Sequence, residues 1–226
     1  MHGTTSTTQK QEMIPNKPLS KKVVEFDDVI STIGNLSSNS DQNNDSDFEI
    51  ALKNNEVPSV YQMLQNDKDL LTTNDLFDDE SLLSWVVAKG SIEMLDMLLL
   101  NYPECRDTQN TNGFTPLMTA VITDDISLKL YRIEALLKAG AEVNVLSDLN
   151  DLTALHYAAE RGRTDVVQAL LNARAEVNAV GGSLGHTALH VSVRNGHVDV
   201  IQALLNAGAE VDANGDGFAN VGVDTF

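Results

Sequence analysis

The sequence predicts an all-α solenoid, a stack of short helix-turn-helix units, on three observations. The stretch TALHYAAERGRTDVVQALLNARAEVNA (residues 153–179) returns nearly unchanged as TALHVSVRNGHVDVIQALLNAGAEVDA (residues 187–213), with starts 34 residues apart. A fixed period in that range marks units too small to bury their own apolar face, which become stable only by stacking. Weaker copies begin at Thr115 (TPLMTAVITDD) and Ser81 (SLLSWVVAKGSIEMLDMLLL), again 34 apart. Within a copy, Val166, Val167, Ala169, Leu170 and Leu171 recur at helical spacing, so one stripe faces the neighbouring units.

Taken in chain order, residues 1–45 are rich in Ser, Thr, Asn and Gln, with Pro15, Pro18 and no sustained period. Too little apolar surface is present to offset ordering, which predicts a disordered N-terminal tail. Inside it KKVVEFDDVISTI (residues 21–33) is locally apolar and reads as a partner-binding segment, a strip docked on the first repeat, or plain tail. A degenerate first copy follows at residues 46–64, where Ala51, Asn55, Val60, Met63 and Leu64 fall at the places of Ala158, Gly162, Val167, Leu170 and Leu171. The repeat domain is therefore residues 46–213, about five repeats. Residues 214–226 form a C-terminal tail or incomplete cap, which leaves a Leu204 and Leu205 stripe at the last repeat unsheltered.

Each unit reads the same way locally. Thr153 or Thr187 accepts a backbone N–H as helix N-cap, Ala158 and Ala159 allow close helix approach, and Gly162 supplies the positive φ that ends the first helix. The segments 140–149 and 208–217, rich in Gly, Asn and Asp with Val between, predict turns with extended arms, that is, β-hairpin fingers. Between Thr115 and Leu136 lie four more residues than between Thr153 and Leu170, so the third repeat carries a lengthened inter-helix loop at residues 124–131, where Asp124 replaces the helix-ending Gly. Each buried Leu, Val or Ile contributes roughly 1.5–3 kcal/mol, offset by chain ordering of comparable size, so stability arises from stacking.

Through Thr153, Leu155, His156, Ala158, Ala159, Gly162, Val167, Leu170, Leu171, Ala175, Val177 and Asn178 the pattern resembles the ankyrin repeat, over about three quarters of the chain. The resemblance implies an ankyrin-repeat solenoid whose partners meet the fingers and the exposed side of the first helices, the concave face. Carried onto this sequence, that face comprises Trp85, Lys89, Phe114, Thr119, Ile122, Leu152, Tyr157, Arg161, His186, Val191, Arg194 and Asn195. Trp85, Phe114, Tyr157, Arg161 and Arg194 are the anchor candidates, since aromatic and Arg side chains dominate binding energy. The resemblance also gives His156 and His190 a structural hydrogen bond to an adjacent finger. It marks Asn144 and Asn178 as sites where an asparaginyl hydroxylase would act, with a plain hydrogen-bonding role as the other reading.

The formal charge of −18 sets limits on partners. Such a surface repels phosphate backbones and anionic lipid, which argues against nucleic acid and membrane and favours basic protein partners. Cys105 is the single cysteine, so no intramolecular disulfide forms, and the N-terminus lacks an apolar signal region. A cytoplasmic or nuclear location follows, with delivery into a host cell by a route lacking a cleaved signal left open. No nucleophile and base pair, P-loop or zinc spacing is present, so neither catalysis nor a cofactor is expected. Asp212, Asn214, Asp216 and Gly217 spell the opening of a calcium loop, but Val223 stands where its bidentate Glu belongs. The function expected is non-enzymatic binding of a partner protein, in one version as a secreted bacterial effector. The alternative is a regulatory subunit or inhibitor that occludes an enzyme.

Overall fold

A computed structural model of the chain describes residues 44–71, 80–123 and 129–213, all within one compact unit spanning Leu36–Phe226. The segment at 21–33, residues 124–128 of the third-repeat insertion and the 214–226 end lie outside the described residues.

Ten described α-helices follow one another in five pairs: α1 Asn44–Lys53 and α2 Val57–Asn66, α3 Leu82–Lys89 and α4 Ile92–Asn101, α5 Pro116–Ile122 and α6 Lys129–Lys138, α7 Ala154–Glu160 and α8 Thr164–Asn172, α9 Ala188–Arg194 and α10 Val198–Asn206. Short 3-10 turns at Lys68–Leu71 and Pro103–Cys105 close the second helices of the first two pairs. First helices pack in series, α3 on α5 on α7 on α9, and second helices do the same from α2 to α10. The core is the seam between these two layers.

The caps expected from sequence start the helices. Ser81, Ser91 and Thr115 accept the N–H of Ser84, Met94 and Met118 at 3.3, 3.2 and 3.3 Å. In α7 and α9 the third residue is His, and its Nδ1 accepts the cap backbone N–H in return, Thr153 to His156 at 3.2 Å and Thr187 to His190 at 3.3 Å. That satisfies one further orphan donor per helix. Gly162 and Gly196 leave the first helices at φ 67° and 72°, and Asn55 does so at φ 57° in the degenerate first pair. Gly90, at the same place in the second pair, is instead extended, with φ −80° and ψ 169°.

The buried side chains match the helical stripes. Phe48, Leu52, Val60 and Leu64 fill the first pair, Met94, Leu95 and Leu98 the second, Ile133 and Leu136 the third, and Val166, Val167 and Leu170 the fourth.

The β-hairpin fingers are not there. The described residues contain no β-strand, only an isolated antiparallel bridge between Gly181 and His186. The loops spend their donors locally and on side chains: Glu142 N–H goes to Asp107 Oδ1, Ser147 N–H to Leu152 O and Asp151 N–H to Ser147 O. These bonds run within a turn or to a side chain rather than between paired strands. The expected Leu204 and Leu205 stripe is also only half right, because Leu204 is 0% exposed and Leu205 41%.

Candidate functional site

The fourth and fifth pairs and the loops that precede them enclose a groove of about 450 Å³. Five of the residues expected at a binding face line it together: Leu152, Tyr157, His186, Val191 and Arg194. Tyr157 and Val191, on α7 and α9, are buried and form its floor. The Tyr157 hydroxyl meets Ser147 Oγ at 3.0 Å, and Phe114 packs edge-on against its ring, with centroids 5.6 Å apart at 86°.

Two closed loops make the walls. In the first, Ser147 N–H donates to Leu152 O at 3.0 Å and Leu152 N–H returns to Ser147 Oγ at 3.3 Å. Asp151 stands in the left-handed region at φ 51° to complete that turn. In the second, Gly181 and His186 exchange backbone bonds of 2.8 and 2.9 Å. The walls touch at Gly181, where an added Cβ would lie 2.3 Å from Asp151 O, so only glycine permits this approach.

His156 ties the second wall to α7. Its Nε2 lies 3.0 Å from His186 O, and because a carbonyl only accepts, Nε2 carries the proton and Nδ1 is the acceptor for Thr153. Burial holds the His156 pKa below its ordinary value, which keeps the ring neutral and the bonding pattern intact. His186 and His190 stack with ring centroids 5.7 Å apart.

The other expected residues do not line this groove. Trp85, at 7% exposed, and Thr119 are buried between helices, Phe114 and Ile122 are half-buried, and Lys89, Arg161 and Asn195 are exposed. Asn195 Nδ2 donates to Val191 O at 2.9 Å, closing its own helix. Asn144 and Asn178 are engaged between repeats, their Oδ1 atoms accepting the N–H of Glu176 and Glu210 at 2.8 and 2.9 Å. Leu149, Asp151, Glu160, Gly181 and Leu184 were not singled out from sequence and do line the groove. The available signal was a pair of leucines set in loops otherwise built from Asn, Asp, Gly and Ser.

Cys105 offers no nucleophile. It is buried, its Sγ lies 3.0 Å from Tyr102 O, and burial, with the charge of Glu104, pushes its thiol up to about 12. Among the described residues no group of three or more His, Cys, Asp or Glu gathers to hold a metal, and the Asp212 to Gly217 motif lies mostly outside them. No helix of the described residues is long and apolar enough to cross a membrane.

Fold and site together define a protein of stacked helix-pair repeats with a groove at its fourth and fifth pairs. The family model for ankyrin repeats, in three copies, matches residues 129–215. The chain is 30% identical over 113 residues to a putative E3 ubiquitin-protein ligase, XBAT31, of Arabidopsis thaliana, covering 50% of this chain and 24% of that protein. It is 40% identical over 95 residues to inversin of Gallus gallus, covering 41% and 8%. An ankyrin repeat-containing protein of Schizosaccharomyces pombe is 31% identical over 110 residues, covering 48% and 45%. The chain thus spans less than half the length of these relatives. Residues 129–215 thus match ankyrin repeats, and the relatives share that likeness over a third to a half of this chain.

Proposed function

We propose that the repeats at 46–213 bind one segment of a partner protein across the face made by the first helices and the loops before them. The observation that carries this reading is the groove of about 450 Å³, which gathers Leu152, Tyr157, His186, Val191 and Arg194. Its walls are fixed by backbone bonds and by His156, so little ordering remains to be done on binding. Exposed Lys89, Arg161, Arg194 and Asn195 supply the polar rim of such a face. The formal charge of −18 favours a basic partner.

Affinity capture with the full chain, compared with an Arg161→Glu and Arg194→Glu double variant and a Gln168→Lys and Gln202→Lys double variant on the second helices, tests the reading. Partner loss from the first variant alone, with unchanged thermal melting, is expected. Equal loss from both, or from the second alone, contradicts the assigned face.

A further inference from the structure

Resting on that reading, we infer that the groove between the fourth and fifth repeats takes an extended protein segment with a bulky aliphatic side chain as anchor and a Lys or Arg on one side of it.

The anchor follows from where apolar side chains lie. The floor is Tyr157 and Val191, both buried, and the lips are Leu149 and Leu184, which are 62% and 55% exposed. Nothing in the repeat packing requires leucine at those loop positions, because they face away from the helix seam. Leu146 and Val180, 34 residues apart and both exposed, stand in the same two loops close in sequence to the groove residues. With lips on two successive loops and a floor on two successive helices, the apolar surface spans both repeats and suits a chain segment better than a single side chain.

The polarity follows from the charged rim. Asp151 and Glu160, on the fourth repeat, are exposed carboxylates, while the fifth repeat presents Arg194 at the place of Glu160, 34 residues on. Among the charged residues that line the groove itself, both carboxylates stand on the fourth repeat and Arg194 on the fifth, so a cation on the segment is attracted toward the fourth repeat, which sets its direction as well as its composition. Five of the loop donors are already used, Gly181 and His186 on each other and Ser147, Asp151 and Leu152 within their own turn. Recognition therefore runs through side chains and not by adding a strand to the protein. A second copy of this chain, itself at −18, fits this rim poorly.

The test uses fluorescence polarisation of the full chain with three pools of acetylated and amidated nonapeptides. The first has a central Leu, Ile or Met with Lys or Arg on one flank and Asp or Glu on the other. The second has acidic flanks on both sides, and the third replaces the anchor by Ser. The first pool is expected to bind at least tenfold more tightly than either other. Leu184→Ser should weaken it about tenfold, and Asp151→Lys with Glu160→Lys should reverse the preference toward the acidic pool, all at unchanged melting temperature. Equal binding of the pools, no binding of any pool, or a preference unmoved by the charge reversal overturns the inference. If the peptides fail while Arg161→Glu and Arg194→Glu still abolish partner capture, the broader face reading stands and only this groove assignment falls.

Discussion

Along the loop edge of the stack one bond is made three times, whereas along the turn edge three junctions among the described residues each use a different group. On the loop edge the N–H of Glu142, Glu176 and Glu210 donates to Asp107, Asn144 and Asn178 of the preceding repeat at 2.8, 2.8 and 2.9 Å. On the turn edge Ser91 N–H reaches Asn55 Oδ1 at 2.8 Å, Arg132 Nη2 reaches Gly90 O at 2.9 Å, and His197 Nε2 reaches Glu160 O at 2.9 Å. The first edge repeats because a backbone donor on a fixed period needs only one carboxyl or amide oxygen opposite it. The second varies because each turn differs, and the bridging side chain must be long enough for its own gap.

The largest effect should come from the turn edge. Arg132 is buried, and Arg132→Met leaves the Gly90 carbonyl without that donor, so the urea midpoint should fall by the equivalent of about 1–3 kcal/mol. On the loop edge Asn144→Ala and Asn178→Ala should each cost about 1 kcal/mol, with Asn144 the costlier of the two, since its Nδ2 also donates to Arg174 O at 3.4 Å. Asn144→Asp should keep the bond from Glu176 N–H, as Asp107 does with a carboxylate for Glu142, and lose only the weaker amide bond to Arg174 O, so its cost should be smaller than that of Asn144→Ala. An Asn178→Ala cost larger than that of Asn144→Ala would break the comparison.

A smaller effect of opposite sign is expected at Arg174, which sits at φ 68° where Gly140 and Gly208 end the neighbouring second helices at φ 85° and 91°. Arg174→Gly should relieve backbone strain and stabilise by about 0.5–1 kcal/mol after the entropic cost of glycine. His156 gives a pH signature. Its folded pKa is depressed by burial, so the unfolded chain binds the extra proton, and the stability is present above the ordinary histidine value and lost as pH falls through the folded one. The melting temperature of the wild type should drop from pH 7.5 to 5 more steeply than that of His156→Gln. The least perturbing probe is Cys105, which should resist a thiol reagent at pH 8 until the repeats unfold, because its pKa is about 12.

Much of the fold was legible because the period and the caps are local. Asn55, aligned by register with Gly162, takes the same left-handed turn, and Thr153 with His156 forms the reciprocal cap. The β-hairpins were misread because Gly, Asn and Val in a loop do not reveal that the N–H groups of Glu142, Glu176 and Glu210 among them are claimed by Asp107, Asn144 and Asn178 one repeat earlier. The groove was half legible. Its floor belongs to helical register, which gave Tyr157 and Val191, but its walls depend on Gly181 approaching Asp151 from the next repeat, a contact 30 residues distant in sequence. Arg132 bridging to Gly90 was equally hidden, as a buried cation in α6 looks like any surface residue of an amphipathic helix.

Site-resolved photocrosslinking tests the central claim most directly. A crosslinking amino acid is placed in turn at Arg194 and Leu184 on the groove rim, and at Gln168 and Gln202 on exposed second-helix positions. The account predicts a saturable protein adduct from Arg194 and Leu184 and none from Gln168 or Gln202. Adducts confined to Gln168 and Gln202 would contradict it and move the binding surface to the second helices.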